Sequence, residues 1–337
     1  MLLSLVLAAT LRAAPAHTFK FDAVPRRVVF SPDAQVLATS DVAGNVRLWR
    51  VSDRRLLRTL VHQGGATSVA FSANGQWLAS GGYDGNVEVR HVGVVRGSAA
   101  PPGSAPEART TRLRGHTGTV WSVAFSSDGK WIASSGEDKT VRVWRAHDGA
   151  LLRTLTGHTL NVWSVAISGN IIASGSFDHA IKLWRADNGA LLRTLKGHDQ
   201  AVVSIAFSPD GKLLASGGDD STVRLWRVAD GALLRTIKGD FSHVYSVAFS
   251  PDGQWLASGG RERGGFGTLW ESIAGDRLSG GNSATVRLWR VRDGALQQEL
   301  SGHTTDVGSV AFSPDGKWLA TSSEDKSVRL WRLTVNR

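Results

Sequence analysis

The sequence predicts an all-β fold, a single ring of seven four-stranded sheets in the arrangement called a β-propeller. Three observations carry this. A unit of about 40 residues recurs along the 337-residue chain. Short runs rich in Val, Ile, Thr and Trp alternate with turns rich in Gly, Ser, Asp and Asn. Each unit holds four such runs, the strand count of a propeller blade. One sheet of this size cannot bury both of its faces, whereas sheets stacked around a ring can.

The period is clearest at a tryptophan. Trp144 and Trp184 are 40 residues apart, Trp184 and Trp226 are 42, and Trp289 and Trp331 are 42. Arg90 takes the tryptophan slot of another unit, 41 residues after Trp49. The gaps of 54 from Arg90 to Trp144 and 63 from Trp226 to Trp289 are each one unit plus an insertion, which makes seven units. The first insertion, about 95–108, contains GSAAPPGSAPE and is expected to be a disordered surface loop. The second, about 261–281, carries Phe266, Leu269, Trp270 and Ile273, so packing on the body and contact with a partner are both open to it.

Within the unit that starts at Gly115, Val120–Ser126 reads as the first strand, followed by a tight turn centred on Asp128-Gly129. Trp131–Ser135 reads as the second strand and Val141–Arg145 as the third. A turn at Asp148-Gly149 leads to a fourth, Leu151–Leu155.

The last unit stops soon after its third strand, at SVRLWRLTVNR, and the segment HTFKFD, about 17–22, has no unit of its own. That segment is expected to supply the missing outer strand of the last blade, closing the ring and leaving no open edge. Ahead of it, residues 1–16 join a ten-residue apolar run to Ala14-Pro15-Ala16, which fits a signal-peptide cleavage site. They lack a basic start and carry Arg12. Two readings stand: a cleaved leader of an exported protein, or a frayed extension of a cytoplasmic one. Residues 17–337 form the propeller on either.

With no cysteine, disulfides, zinc–cysteine sites and thiol chemistry are excluded. No run reaches the roughly 18 apolar residues of a membrane helix. No phosphate-binding loop or dinucleotide fingerprint occurs, and His91, His147 and His179 lack metal-ligand spacing, so neither cofactor nor metal is expected. The net charge of +10 recurs in fixed slots, among them Arg142 and Arg145, Arg224 and Arg227, and Arg287 and Arg290, and in LLRTL strings at Arg58, Arg153 and Arg193. Such spacing spreads charge around the circumference as a solvated belt. Binding of nucleic acid or an anionic surface through this basic rim remains an alternative function.

The strings GEDKTVRVW, SFDHAIKLW, GDDSTVRLW and SEDKSVRLW each place an aspartate six residues before a tryptophan. Gly-His opens the unit at Gly115-His116, Gly157-His158, Gly197-His198 and Gly302-His303. With the period and strand count, these motifs make residues 17–337 resemble the WD-repeat (WD40) β-propeller family. The family's Trp-Asp dipeptide is Trp-Arg here, as at Trp144-Arg145, a position outside the structural core of the motif. The resemblance implies four hydrogen-bonded tetrads that tie strands to loops: His116, Ser134, Asp138 and Trp144; His158, Ser174, Asp178 and Trp184; His198, Ser216, Asp220 and Trp226; and His303, Thr321, Asp325 and Trp331. Donors and acceptors of these four residue types can satisfy one another in a chain. Ser, His and Asp also compose a hydrolase triad, so a propeller hydrolase is a second alternative. Four near-identical copies and the lack of a G-x-S-x-G elbow favour the structural role, and no catalytic residue is assigned.

The resemblance further implies a non-catalytic scaffold whose contact surface is the face where each first strand begins and each second strand turns into the third. Three slots per unit map there: three and five residues after the histidine, and the residue before the aspartate. They put Tyr83, Trp121, Glu137, Trp163, Phe177, Asp219, His243 and Tyr245 on that face, and aromatic residues commonly anchor interfaces. Packing between blades is the competing role for Trp121 and Trp163. The expected partner is a protein or peptide, basic or polar to suit the acidic slots, and the propeller itself is expected to be a monomer.

The first unit has Phe21, Thr39 and Ala43 in the His, Ser and Asp slots, and the sixth has Asp240 and Ser283 in the His and Asp slots. Hydrogen exchange should therefore find blades three, four, five and seven better protected than blades one and six. Uniform protection around the ring would refute the tetrads as the source of blade stability.

Overall fold

A computed structural model describes residues 10–93, 110–239, 241–262 and 284–336. The first insertion, nearly all of the second, Asp240 and Ser283 lie outside these residues. Twenty-eight strands, numbered in chain order, form seven antiparallel sheets of four. Blade three runs β10 (Val120–Phe125), β11 (Trp131–Gly136), β12 (Val141–Arg145) and β13 (Leu151–Leu155), in that spatial order. Each strand lies within one residue of its expected bounds.

The first strands of the blades are β2 (Pro25–Phe30), β6 (Ala66–Phe71), β10, β14 (Val162–Ser168), β18 (Val202–Phe207), β22 (Phe241–Phe249) and β26 (Val307–Phe312). Each touches the next in a closed sequence, so together they line the central axis. Apolar side chains alternate to both faces of every sheet, and the core is divided into clusters between adjacent blades. Between blades three and four, Val141, Val143 and Leu155 meet Val162, Val165, Ile172 and Trp184. The second-strand tryptophans Trp77, Trp131, Trp255 and Trp318 each belong to or pack against one of these clusters.

Polar contacts reinforce the seams at both radii. Near the axis, the hydroxyl oxygens of Ser68, Ser164, Ser204, Ser246 and Ser309 accept the backbone N–H of Val123, Ile205, Val247, Val310 and Val28 in the next blade, at 3.1–3.3 Å. At the rim, Arg153 donates to the Asp187 carbonyl at 2.6 Å and Arg193 to the Ala229 carbonyl at 2.7 Å.

The basic slots are not all solvated. Arg224 and Arg287 are buried, and Arg142 and Arg224 lie 3.5 and 3.3 Å from the carboxylates of Asp138 and Asp220. Arg142 lies on the same side of its strand as Trp144, which packs against blade two, so this slot faces the blade seam. Arginines that follow the tryptophan, such as Arg145, Arg185 and Arg227, are exposed, as are Arg153 and Arg193 on fourth strands.

Closure uses a longer strand than expected. Strand β1 (Thr10–Lys20) pairs antiparallel with β28 (Ser327–Asn336), from Thr10 opposite Asn336 to Lys20 opposite Ser327. Among the described residues it already includes Thr10, seven residues before His17, and there Leu11 and Ala13 have apolar company in Trp255, Leu300, Trp331 and Leu333. The register shifts between Pro15 and His17, and an outer edge strand tolerates a residue without an N–H there. Gln298, in the slot that holds Arg153 in blade three, receives the Ala13 N–H at 2.8 Å and donates to the Ala13 carbonyl at 2.9 Å.

One seam position is chemically mismatched. Gly81, Gly175, Gly217 and Gly259 press against valines of the next blade, and a Cβ on Gly81 would come within 2.7 Å of Val120. The same slot holds Ser40, Ser135 and Ser322, whose buried hydroxyls have no hydrogen-bond partner. An unsatisfied buried hydroxyl costs about 1–3 kcal/mol. Ser135→Ala should therefore raise the unfolding free energy by about 1 kcal/mol in denaturant titration. A loss of stability would mean that the hydroxyl has a partner in solution.

Candidate functional site

In blade three the Trp144 indole donates to Ser134 Oγ at 2.8 Å, Ser134 Oγ lies 2.8 Å from His116 Nε2, and His116 Nδ1 lies 3.0 Å from Asp138. The polarity of this chain puts the imidazole proton on Nδ1, so every member is satisfied. Blade four repeats it with Trp184, Ser174, His158 and Asp178, each step 2.8 Å. Blades five and seven repeat it with Trp226, Ser216, His198 and Asp220, and with Trp331, Thr321, His303 and Asp325, at 2.7–3.0 Å. The aspartate then caps the second-to-third-strand turn, as Asp138 does by accepting from the backbone of Thr140 at 3.1 Å. Ser134, Ser174, Ser216 and Thr321 are all 0% exposed, so each triad-like hydroxyl is closed to any substrate.

Blade two departs from this pattern in a way the tryptophan slot alone did not reveal. His62 still reaches Ser80 at 2.8 Å and Asp84 at 3.2 Å. Arg90 donates to the carbonyl of Val61 and to Glu88, which is fully buried and also receives Arg112 at 2.7 Å. Glu88 stands where other blades have Arg or Lys, so VEVR in place of VRVW is a paired exchange: the cation in the tryptophan slot brings its own buried anion.

The predicted face is built by one repeated device. Every first strand has a bulge near its start, as between Val120 and Ser122 or between Val162 and Ser164. The extra residue has no cross-strand partner, and its side chain is re-aimed. Around the ring the bulge residues are Arg26, Thr67, Trp121, Trp163, Val203, Tyr245 and Gly308. A backbone bond holds each turn against the loop before the bulge: Tyr83 N–H to Gly65 at 3.3 Å, Glu137 to Thr119 at 2.9 Å, Phe177 to Asn161 at 2.9 Å and Asp219 to Ala201 at 2.9 Å. The three slots therefore meet.

Four of the aromatic residues form one continuous run. Tyr83 meets Trp121 edge-on at 6.2 Å, Trp121 stacks on Trp163 at 5.1 Å with planes 7° apart, and Trp163 stacks on Phe177 at 6.4 Å. The end members are open, Tyr83 at 37% and Phe177 at 45% exposure. The indole N–H groups of Trp121 and Trp163 are buried and have no hydrogen-bond partner among the described residues. Glu137 turns away from the run to accept the Thr119 N–H at 3.0 Å.

The remaining candidates form a separate polar group across blades five to seven. His243 stacks on Tyr245 at 5.8 Å and lies 3.1 Å from Asp219. Burial pushes the Tyr245 phenol up to about 12, so it stays protonated. Arg261, which the slots did not include, reaches Asp306 at 2.7 Å. It lies beside the second insertion, where the unit pattern is interrupted, and that interruption hid it. At blade five the small Ala201 and Val203 separate the two groups.

A family model for the WD domain, G-beta repeat, matches the chain seven times, over residues 11–50, 54–90, 107–145, 149–185, 189–227, 231–264 and 294–332. Among curated proteins, the chain is similar to Protein HIR1 of Gibberella zeae, 34% identical over 39% of this chain and 14% of that protein. It is 33% identical to an uncharacterized WD repeat-containing protein of Synechocystis, over 40% of this chain and 36% of that one. It is 27% identical to the COMPASS component SWD3 of Saccharomyces cerevisiae, over 42% and 41% of the two chains. The matched stretch thus spans less than half the length of each of these relatives.

The tetrads carry a definite pH signature. Burial raises the Asp178 carboxyl pKa, and hydrogen bonds from His158 and the Thr159 and Ala180 amides more than reverse this, leaving it at about 2. Asp138, Asp220 and Asp325 are held below the usual carboxylate range by the same opposition. Since the folded pKa lies below the unfolded one, this stability is present above about pH 4 and is lost as pH falls toward 2. Asp178→Asn should flatten the fall of stability between about pH 4 and pH 2, measured by urea unfolding at stepped pH. An unchanged slope would detach Asp178 from acid denaturation.

Proposed function

The chain belongs to the WD40 repeat family, and on that premise we propose that it is a non-catalytic scaffold whose face of bulge residues binds a protein or peptide. The observation that supports this most is the Tyr83–Trp121–Trp163–Phe177 run at the channel mouth. Large rigid rings contribute contact area at small entropic loss. The relative SWD3 is by name a component of a larger assembly, which agrees with this reading.

Hydrolysis has little to recommend it. The serine and threonine hydroxyls of the tetrads are buried and already accept an indole N–H. Nucleic-acid binding at the rim competes with an existing use of its cations, since Arg153 and Arg193 donate to carbonyls of the neighbouring blade.

The test is affinity capture from lysate of the source organism with wild type and Trp121→Ala/Trp163→Ala, at low and high salt, with thermal unfolding to check that both are folded. A protein retained by wild type at both salt concentrations and reduced about tenfold or more in the double variant is the expected result. Equal capture of nucleic acid by both, released by salt, would reassign function to the rim.

A further inference from the structure

Six first strands carry a serine immediately after the bulge residue: Ser68, Ser122, Ser164, Ser204, Ser246 and Ser309. In five of them that hydroxyl oxygen accepts a backbone N–H across the seam. In blade one the slot holds Arg27. A guanidinium has no acceptor, so the seam bond cannot be made there.

The direction of this side chain follows from its neighbours. Val28 packs toward blade seven and Val29 toward blade two, so Arg27, on the same side of the strand as Val29, starts at the seam between blades one and two. Its cross-strand partner Ser40 is fully buried on the outer side. Arg27 is itself only half-buried, and its strand is one of the seven that line the axial channel. It has no hydrogen-bond or ion-pair partner among the described residues. Burial lowers its pKa with no carboxylate to oppose the shift, yet arginine keeps its proton. A desolvated cation in a protein is ordinarily paired.

We infer that the axial channel holds a small anion on the Arg27 guanidinium. The planar fork matches a tetrahedral oxyanion or a carboxylate. The carboxylate could arrive free or on a segment of a bound partner. The inference does not depend on the aromatic face: failure of the capture experiment leaves it intact.

The test is thermal unfolding of wild type, Arg27→Ser, Arg27→Gln and Arg185→Ser in rising inorganic phosphate, and separately in rising acetate, with chloride adjusted to constant ionic strength. Arg27→Ser restores the residue of the other six blades, Arg27→Gln keeps length without charge, and Arg185→Ser removes an exposed charge elsewhere. Wild type and Arg185→Ser should gain a saturable increment of about 2–4 °C that both Arg27 variants lack. A gain in phosphate alone assigns the site to a free oxyanion, and a gain in acetate as well assigns it to carboxylates. Equal increments in all four proteins would reflect general stabilisation by the salt and would overturn the site.

Discussion

Both faces of every four-stranded sheet in this protein are apolar, so no sheet can stand without a neighbour on each side. Everything else follows from meeting that demand seven times and then joining the seventh blade to the first. The valine and isoleucine contacts of one seam repeat at the next, with serine hydroxyls bridging first strands near the axis and arginines reaching carbonyls at the rim. The join itself is made by β1 against β28 and by the paired bonds between Gln298 and Ala13.

Most of this was legible in the sequence because it is periodic. Blade number and strand order come from spacing, which survives when single residues change, and the tetrad partners come from the resemblance to the WD-repeat family. What was not legible is what breaks the period. The closure strand takes in residues ahead of His17 because Leu11 and Ala13 have apolar company, a long-range contact that leaves no local pattern. The Glu88–Arg90–Arg112 cluster was partly readable, since two residues of one strand change together, but their pairing needs the fourth strand in place. Arg261 sits where an insertion interrupts the unit. The buried third-strand arginines were misplaced because charge suggests solvent, whereas a side chain on the tryptophan's side of that strand faces the neighbouring blade.

The site shows the complementary limit. The slots implied by the resemblance do not foresee that Tyr83, Trp121, Trp163 and Phe177 touch in sequence while His243, Tyr245 and Asp219 form a second group. Ring stacking depends on rotamers, which spacing does not encode. Glu137 likewise spends its carboxylate on the Thr119 amide rather than presenting it outward. The acidic character of the face is thus partly internal, and aromatic surface dominates what blades two to four offer.

The bulge that opens each first strand has a consequence for how such a protein changes over time. Its residue is exempt from the ladder, so arginine, threonine, tryptophan, valine, tyrosine and glycine all occupy it with the same register on either side. The mouth of the channel is therefore a dial of seven replaceable letters on a fixed frame, of which the neighbours Trp121 and Trp163 are read together because they stack. A lineage, or an engineer, can respell that surface while the architecture beneath is inherited unaltered.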